Sequence, residues 1–353
     1  MPTYVLETGQ DLQDLIDKHP KELIGETVMK KYGHNKIPYL PKVLSIAKAL
    51  PLQLHPNKDM AAKLHAQKPS AFTDPNHKPE IALALGKFEA FCGFKPLKDI
   101  ERVMKIDGLE QFVPKSSSSF DNNALKEVVR SMLKADESTV KDVVSKLEKV
   151  SESELGEDKY IKGLIPRIVD QYGSADNGII VALITMNFLT LEAGQCISIP
   201  ADGIHAYLSG DIIECMARSN NVLNTGFCPA GERNSADLFC ECLSFSPHSP
   251  EECMCPQQKF RGSKEGKTVV YSPPMNEFNI LATTLKAGEK ETLAPIDGPA
   301  MFIATSGYAT MKVKGRSYEV KEGSTWFLSP GNEMELESEK GLLLHTAYAD
   351  AQT

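Results

Sequence analysis

The chain has 353 residues, 41% of them hydrophobic, and a formal net charge of -8. That length supports two or three domains with a sizeable buried core. The acidic balance leaves no basic footprint for nucleic acid, and no run of 18 apolar residues is present to span a bilayer.

The start, Met1-Pro2-Thr3-Tyr4-Val5, has neither a charged n-region nor an apolar h-region, so a soluble, cytoplasmic protein is expected. Leu12, Leu15 and Ile16 recur at helical spacing over residues 10–19, and His19-Pro20 stops that helix. A second helix is expected over 21–32, with Leu23, Ile24 and Val28 inward and Gly33 just past its end. Strands carrying Lys42 and then the pair Gln53 and His55 follow. Residues i and i+2 of a strand share a face, so Gln53 and His55 would reach one pocket. Residues 58–67 read as a helix, and the loop from Lys68 to Pro79 delivers Glu80. Further strands are expected at 81–85 and 89–93.

From 97 to about 169 the apolar period changes from two to about 3.6. Leu125, Val128, Val129, Met132 and Leu133 form one helical stripe, and Val140, Val143, Val144, Leu147 and Val150 another. Both read as core-facing. Ser151 with Glu154 fits a capping box for a further helix, and residues 116–119 read as a polar linker. Strand signals return at 179–186, 188–191 and 196–200, a turn-punctuated spacing that suits an antiparallel barrel. His205 follows directly and would lie in the barrel mouth beside Gln53 and His55. Glu214 shares a face with apolar neighbours, and a buried Glu needs a partner or a raised pKa. After Gly266 a second strand-rich unit is expected, with strands at 278–282, 300–304, 310–313, 325–328 and 342–345. His345 has no partner motif and reads as a strand residue.

Seven of the eight cysteines fall between Cys196 and Cys255 at no regular spacing, which suits free thiols in a reducing compartment. Cys240 with Cys242 and Cys253 with Cys255 would make a four-thiolate zinc site, but paired zinc cysteines are usually set further apart. Gln53, His55, Glu80 and His205 are the better candidates, as a mixed nitrogen and oxygen set.

Three stretches carry a resemblance. They are Leu54-His55-Pro56-Asn57-Lys58, then Asn76-His77-Lys78-Pro79-Glu80 followed by Phe91-Cys92-Gly93-Phe94, and His205-Ala206-Tyr207-Leu208-Ser209-Gly210-Asp211 ending at Glu214. In content, order and spacing the chain closely resembles type I mannose-6-phosphate isomerases over most of its length. The resemblance implies a mainly β fold of two cupin-type jelly-roll barrels with an α-helical insertion. The metal-binding domain would comprise 1–96 and 170–265, the insertion 97–169, and the C-terminal cupin-like domain 266–353. It implies a zinc ion on Gln53, His55, Glu80 and His205, a donor set that also suits other divalent metals. It implies a monomer that interconverts mannose 6-phosphate and fructose 6-phosphate. That chemistry needs a Lewis acid, a group to move a proton between C1 and C2, and a cationic clamp on the remote phosphate. Lys42, Lys78, Tyr207 and Glu214 match the family pattern for proton transfer.

The clamp is where the match departs. The family usually reads Ser-Asp-Asn, Arg-Ala-Gly and Thr-Pro-Lys where this chain has Ser219-Asn220-Asn221, Asn224-Thr225-Gly226 and Cys228-Pro229-Ala230. Asn220, Asn224 and Ala230 thus stand for an Asp, an Arg and a Lys, and Pro51 stands for a Ser. Asn cannot supply the charge of Arg. The substrate-binding candidates are Asn224 itself and the nearby cations Arg218 and Arg233. The chain also opens almost at its first helices, so a shortened barrel wall is expected. An alternative is therefore a diverged paralogue that keeps the metal and acts on a different, unphosphorylated substrate. A weaker one is a metal-stabilised binding protein without catalysis.

Overall fold

The computed structural model describes residues 3–115 and 119–349, and the linker read at 116–119 lies outside them except for Ser119. In chain order the first strands are β1 (Tyr39–Ile46), β2 (Leu52–Leu54), β3 (Glu80–Ala84), β4 (Phe88–Phe94), β5 (Met186–Leu191), β6 (Cys196–Ile199), β7 (His205–Ala217) and β8 (Leu223–Gly226). They are followed by β9 (Gln258–Lys259), β10 (Thr268–Tyr271), β11 (Asn279–Leu285), β12 (Glu289–Leu293), β13 (Ala300–Val313), β14 (Arg316–Lys321), β15 (Thr325–Leu328), β16 (Met334–Ser338) and β17 (Leu342–Tyr348). Packing divides the chain into one unit of Val43–Ile212 with Ser219–Met254 and another of Met1–Lys42, Ile213–Arg218 and Cys255–Thr353.

In the first unit the strand order is β5-β4-β7-β2-β8, and β3 pairs with β6. Register sets one row across four strands: Cys92 opposes His205, His205 opposes Gln53, and Gln53 opposes Asn224. Directly opposed residues of antiparallel strands project to the same face, so these four side chains share one surface.

Helices cover that sheet. Lys58–Gln67 starts where Asn57 Oδ1 accepts from the Met60 N–H at 3.0 Å. Asn122–Lys134 and Glu137–Lys149 are capped in the same way by Asp121 and Asp136, and the capping box of Ser151 and Glu154 is present. Leu125, Val128, Val129 and Met132 share one core with Val140, Val143, Val144 and Leu147, and also with Leu52, Leu54 and Phe91 of the strands. The helical segment therefore shares its core with the strands, and the packing does not divide at 97 or 169.

The expected strand at 179–186 is instead the helix Asn177–Thr185, followed by β5. Every residue from Gly178 to Thr185 is buried. A helix apolar on all sides shows no amphipathic period, so its sequence reads equally well as a buried strand. Asp176 starts it by accepting the Gly178 N–H at 2.7 Å.

In the second unit the expected helix over 21–32 is broken into Pro20–Leu23 and Glu26–Tyr32. Gly25 lies between them at φ 89°, and a Cβ there would stand 2.8 Å from the Asp297 carbonyl oxygen. Gly25→Ala is expected to destabilise this unit by about 1–3 kcal/mol, because the left-handed backbone and the clash both act against it. A lowered melting midpoint by circular dichroism checks it, and an unchanged midpoint would contradict it.

The second sheet runs β12-β16-β13-β17-β11-β10-β9, with β14 and β15 also paired to β13. The two strands expected at 300–304 and 310–313 are one strand, β13, which continues through Ser306-Gly307 with a bulge between Ala304 and Ser306. A bulge bends a strand without ending it. The N-terminal part of β13 pairs with β15 and β17, and its C-terminal part with β14 and β16, as in a sheet that curls toward closure. His345 on β17 contacts Thr305 Oγ1 at 3.1 Å, and burial pushes its pKa down to about 4. All eight cysteines are buried and none is in a disulfide.

Candidate metal site

β2 carries Gln53 and ends one residue before His55, β3 opens on Glu80, and β7 opens on His205. His55, Glu80 and His205 are 1%, 2% and 0% exposed. His55 Nε2 is 3.0 Å from Glu80 Oε1, and His205 Nε2 is 3.5 Å from Glu80 Oε2. One ligand atom from each residue fits within 4.8 Å of the others.

The far side of each ring determines its tautomer. His55 Nδ1 lies 2.7 Å from the Asn221 carbonyl oxygen, and His205 Nδ1 lies 3.0 Å from that of Gly203. A carbonyl only accepts, so each Nδ1 carries the proton and each Nε2 presents a lone pair. Both Nε2 atoms are buried and make no hydrogen bond in spite of the nearby carboxylate. Two lone pairs facing a carboxylate in a dry site repel one another unless a cation lies among them. Burial pushes the His55 pKa down, against the raising effect of Glu80, which favours the neutral ring. Burial acts to raise Glu80, but His55 and His205 outweigh it and hold the carboxyl well below its usual range. Neutral imidazole and ionised carboxylate are the states that bind metal. Gln53 stands opposite His205 in register, on the same face. The donor set fits a divalent cation.

Two of the proposed proton-transfer residues stand beside this cluster. Tyr207 Oη is 3.4 Å from Glu80 Oε2, and Lys78 Nζ is 3.5 Å from Glu80 Oε1. Lys42 and Glu214 belong to the other unit, where they pair with each other at 3.2 Å. Glu214 is buried there with its cationic partner, as a buried carboxylate requires.

The substrate-binding candidates have separate fates. Arg218 is exposed in the other unit, with its backbone N–H on the Pro38 carbonyl at 3.0 Å. Arg233 donates to Asp176 at 2.7 Å and to the Cys228 carbonyl at 2.9 and 3.1 Å. Asp176 also accepts from Phe227 and Gly178, so Arg233 fastens the end of β8 to the start of the helix Asn177–Thr185. Its guanidinium is held by structural partners. Asn224 stands beside Gln53 in the row, and its Oδ1 is buried without a partner.

Residues 219–221 matter more than their sequence indicated. The Asn221 amide donates to the carbonyls of Asp74 at 2.7 Å and Asn76 at 3.0 Å, while its own carbonyl orients His55. Ser219 Oγ adds a bond to the Asn76 carbonyl at 3.0 Å, and the Asn220 N–H meets Asp74 Oδ2 at 2.8 Å. This turn therefore ties His55 to the loop that delivers Glu80. Alternating Ser-x-Asn beyond the long strand was the available signal, and only the contact partners give it meaning. Asn221→Asp puts a carboxylate against two carbonyls and is expected to weaken metal binding about 10–100-fold, as losses of ligand-orienting groups do. Competition with a chromophoric chelator measures it, and affinity within twofold of the parent chain would remove Asn221 from that role.

Fold and cluster together define a cupin-type β protein with a buried two-imidazole, one-carboxylate centre suited to a divalent cation. The profile of Phosphomannose isomerase type I, catalytic domain, matches residues 1–97, and that of Phosphomannose isomerase type I C-terminal matches residues 268–316. The mannose-6-phosphate isomerase of Candida albicans is 33% identical over 358 residues, covering 93% of this chain and 81% of that protein. That of Saccharomyces cerevisiae is 33% identical over 364 residues, covering 96% and 84%. The chain belongs to the type I mannose-6-phosphate isomerase family. Among solved structures, the apo mannose 6-phosphate isomerase of Salmonella typhimurium matches with a TM-score of 0.83 at 24% identity, over 97% of this chain and 87% of that one. A mannose 6-phosphate isomerase bound with zinc and yttrium matches with a TM-score of 0.82 at 23% identity, over 97% and 86%. These structural likenesses show the fold.

Proposed function

We propose that this chain is a metal-dependent isomerase that interconverts mannose 6-phosphate and fructose 6-phosphate, with Zn2+ held by Gln53, His55, Glu80 and His205. The observation that carries the metal is the pair of unpartnered Nε2 atoms facing the Glu80 carboxylate. Family membership and the names of the fungal relatives support the reaction. When bound, the ion supplies a Lewis acid that orients the sugar oxygens and offsets negative charge developing on them. The chain supplies the rest. Lys78 Nζ and Tyr207 Oη, both close to Glu80, are the groups that hold and return the proton moving between C1 and C2. Lys42 and Glu214, an ammonium and a buried carboxylate in contact with each other, match the family pattern for proton transfer. The barrel face excludes water from the cluster, which strengthens each of these interactions. We place the protein in the cytoplasm as a monomeric enzyme of a small-molecule substrate, with the helices of 97–169 as scaffold.

A second reading is supported by the substrate wall. Asn224, where the family carries Arg, is neutral, and the nearby Arg233 is held by Asp176. A member that keeps the metal and acts on an unphosphorylated polyhydroxy compound fits that wall. A coupled assay of fructose 6-phosphate formation by the zinc-loaded chain decides between them. Turnover above about 1 per second at sub-millimolar mannose 6-phosphate is ordinary for an enzyme and supports the first reading. Absence of turnover with metal bound supports the second, and the same protein is then offered unphosphorylated sugars. Metal binding with no turnover of either class would leave a binding protein.

A further inference from the structure

The turn Pro200-Ala201-Asp202-Gly203 joins β6 to β7 and meets both histidines of the metal site. The Gly203 N–H donates to the Pro200 carbonyl at 3.1 Å, which closes the turn. Its third residue, Asp202, has φ 64°. That is the left-handed position of a type II turn, which ordinarily selects Gly or Asn. Among the described residues, Phe227 and Lys314 are the only other non-glycines with a positive φ. A left-handed residue with a side chain costs stability unless its surroundings hold it, and such residues gather at functional sites.

The contacts of this turn explain what holds it. β2 ends at Leu54, one residue short of His55, and Pro56 after it has no N–H to donate. His55 is therefore fixed by what meets its carbonyl and its ring. The Asp202 N–H donates to the His55 carbonyl at 2.6 Å, and the Asn221 carbonyl turns the ring. Asp202 Oδ2 accepts from Asn57 Nδ2 at 3.1 Å, two residues beyond His55. The Asp202 carbonyl accepts from the Ser244 N–H at 3.0 Å. One residue on, the Gly203 carbonyl meets His205 Nδ1 at 3.0 Å. Adjacent residues of one turn thus fix the backbone of one histidine and the ring of the other.

We propose that Asp202 is a positioning residue for the metal site, an inference that rests on the metal reading of the cluster. Its left-handed backbone aims the N–H at the His55 carbonyl, and its carboxylate, held by Asn57, keeps the turn from relaxing. Asp202 acts through His55 and, by way of the neighbouring Gly203 carbonyl, through His205. Glycine would adopt the same backbone without steric cost but carries no group for Asn57. Metal ligands need to be held to within about 0.5 Å of their working geometry, so a loosened turn lowers affinity before the fold is lost.

Zinc affinity of the full chain is measured by competition with a chromophoric chelator, at a temperature where circular dichroism shows each variant folded. Asp202→Ala strains the left-handed position and removes the carboxylate. It is expected to weaken zinc binding about 10–100-fold, as losses of ligand-orienting groups do. Asp202→Gly suits the backbone and loses only the carboxylate, so its affinity falls between those of parent and alanine variant. Asp202→Asn tolerates the left-handed backbone and keeps an oxygen for Asn57, so it restores the parent affinity. Loaded with Co2+, the alanine variant shows shifted visible absorption bands, and the asparagine variant shows those of the parent. Lys314→Ala is the control, because it meets the same left-handed backbone in the turn between β13 and β14, in the other unit. It lowers the melting midpoint and leaves zinc affinity and the cobalt spectrum unchanged. Parent-like zinc affinity in both the alanine and the glycine variants would overturn the role of Asp202 and leave the metal site standing. If the alanine variant does not fold, the glycine variant decides by the same criterion. A parent chain that binds no zinc would remove the metal reading, and this inference with it.

Discussion

His55→Ala and His205→Ala are each expected to lose the bound metal, where the parent chain carries about one ion per molecule. Each substitution removes an imidazole whose Nε2 has no other partner and leaves Glu80 buried with one neighbour fewer. The loss should exceed the roughly 10–100-fold expected when only a ligand-orienting group is removed. It should also appear in stability, since a ligand that binds only the folded state stabilises it by about 2.7 kcal/mol at a hundred times its dissociation constant. A chelator should therefore lower the melting temperature of the parent chain and leave that of either variant unmoved. Elemental analysis and thermal melts with and without chelator give both readouts. Undiminished metal in both variants would remove the cluster from its assigned role.

Asn224→Arg combined with Ala230→Lys is expected to strengthen binding of mannose 6-phosphate by tenfold or more. Charge-assisted hydrogen bonds contribute roughly 1.5–3 kcal/mol each, and partial recovery of one such bond already reaches that factor. The fold tolerates the change on two grounds. Asn224 Oδ1 has no partner to lose, and the bond of this residue to Asn234 Oδ1 at 2.8 Å comes from its backbone N–H. Ala230 is exposed on the short turn Ala230–Glu232. Isothermal titration with the sugar phosphate, run on metal-loaded parent and double variant, measures the gain. Equal affinities, together with ordinary turnover by the parent chain, would mean that other residues already form the clamp and that Asn224 is no mark of a changed substrate.

Features whose signal is local were legible in the amino-acid order. The alternation of Gln53 and His55, the capping box at Ser151, and the stripes of Asn122–Lys134 and Glu137–Lys149 each depend on neighbours a few residues away. A period or a cap can be read there because one face is buried and the other is wet. The remaining features depend on contacts between segments far apart in the chain. Asn177–Thr185 is a helix because it is surrounded on every side, which erases the period that would have marked it. β13 runs through Ser306-Gly307 because β17 keeps pairing with it beyond the bulge. Arg233 carries a suitable charge in a suitable stretch, yet Asp176, 57 residues away in sequence, takes it. Cys253 meets the Cys92 carbonyl across 161 residues without a shared motif. A charge or a thiol acquires its chemistry from its partners, and strand register and packing between distant segments choose those partners.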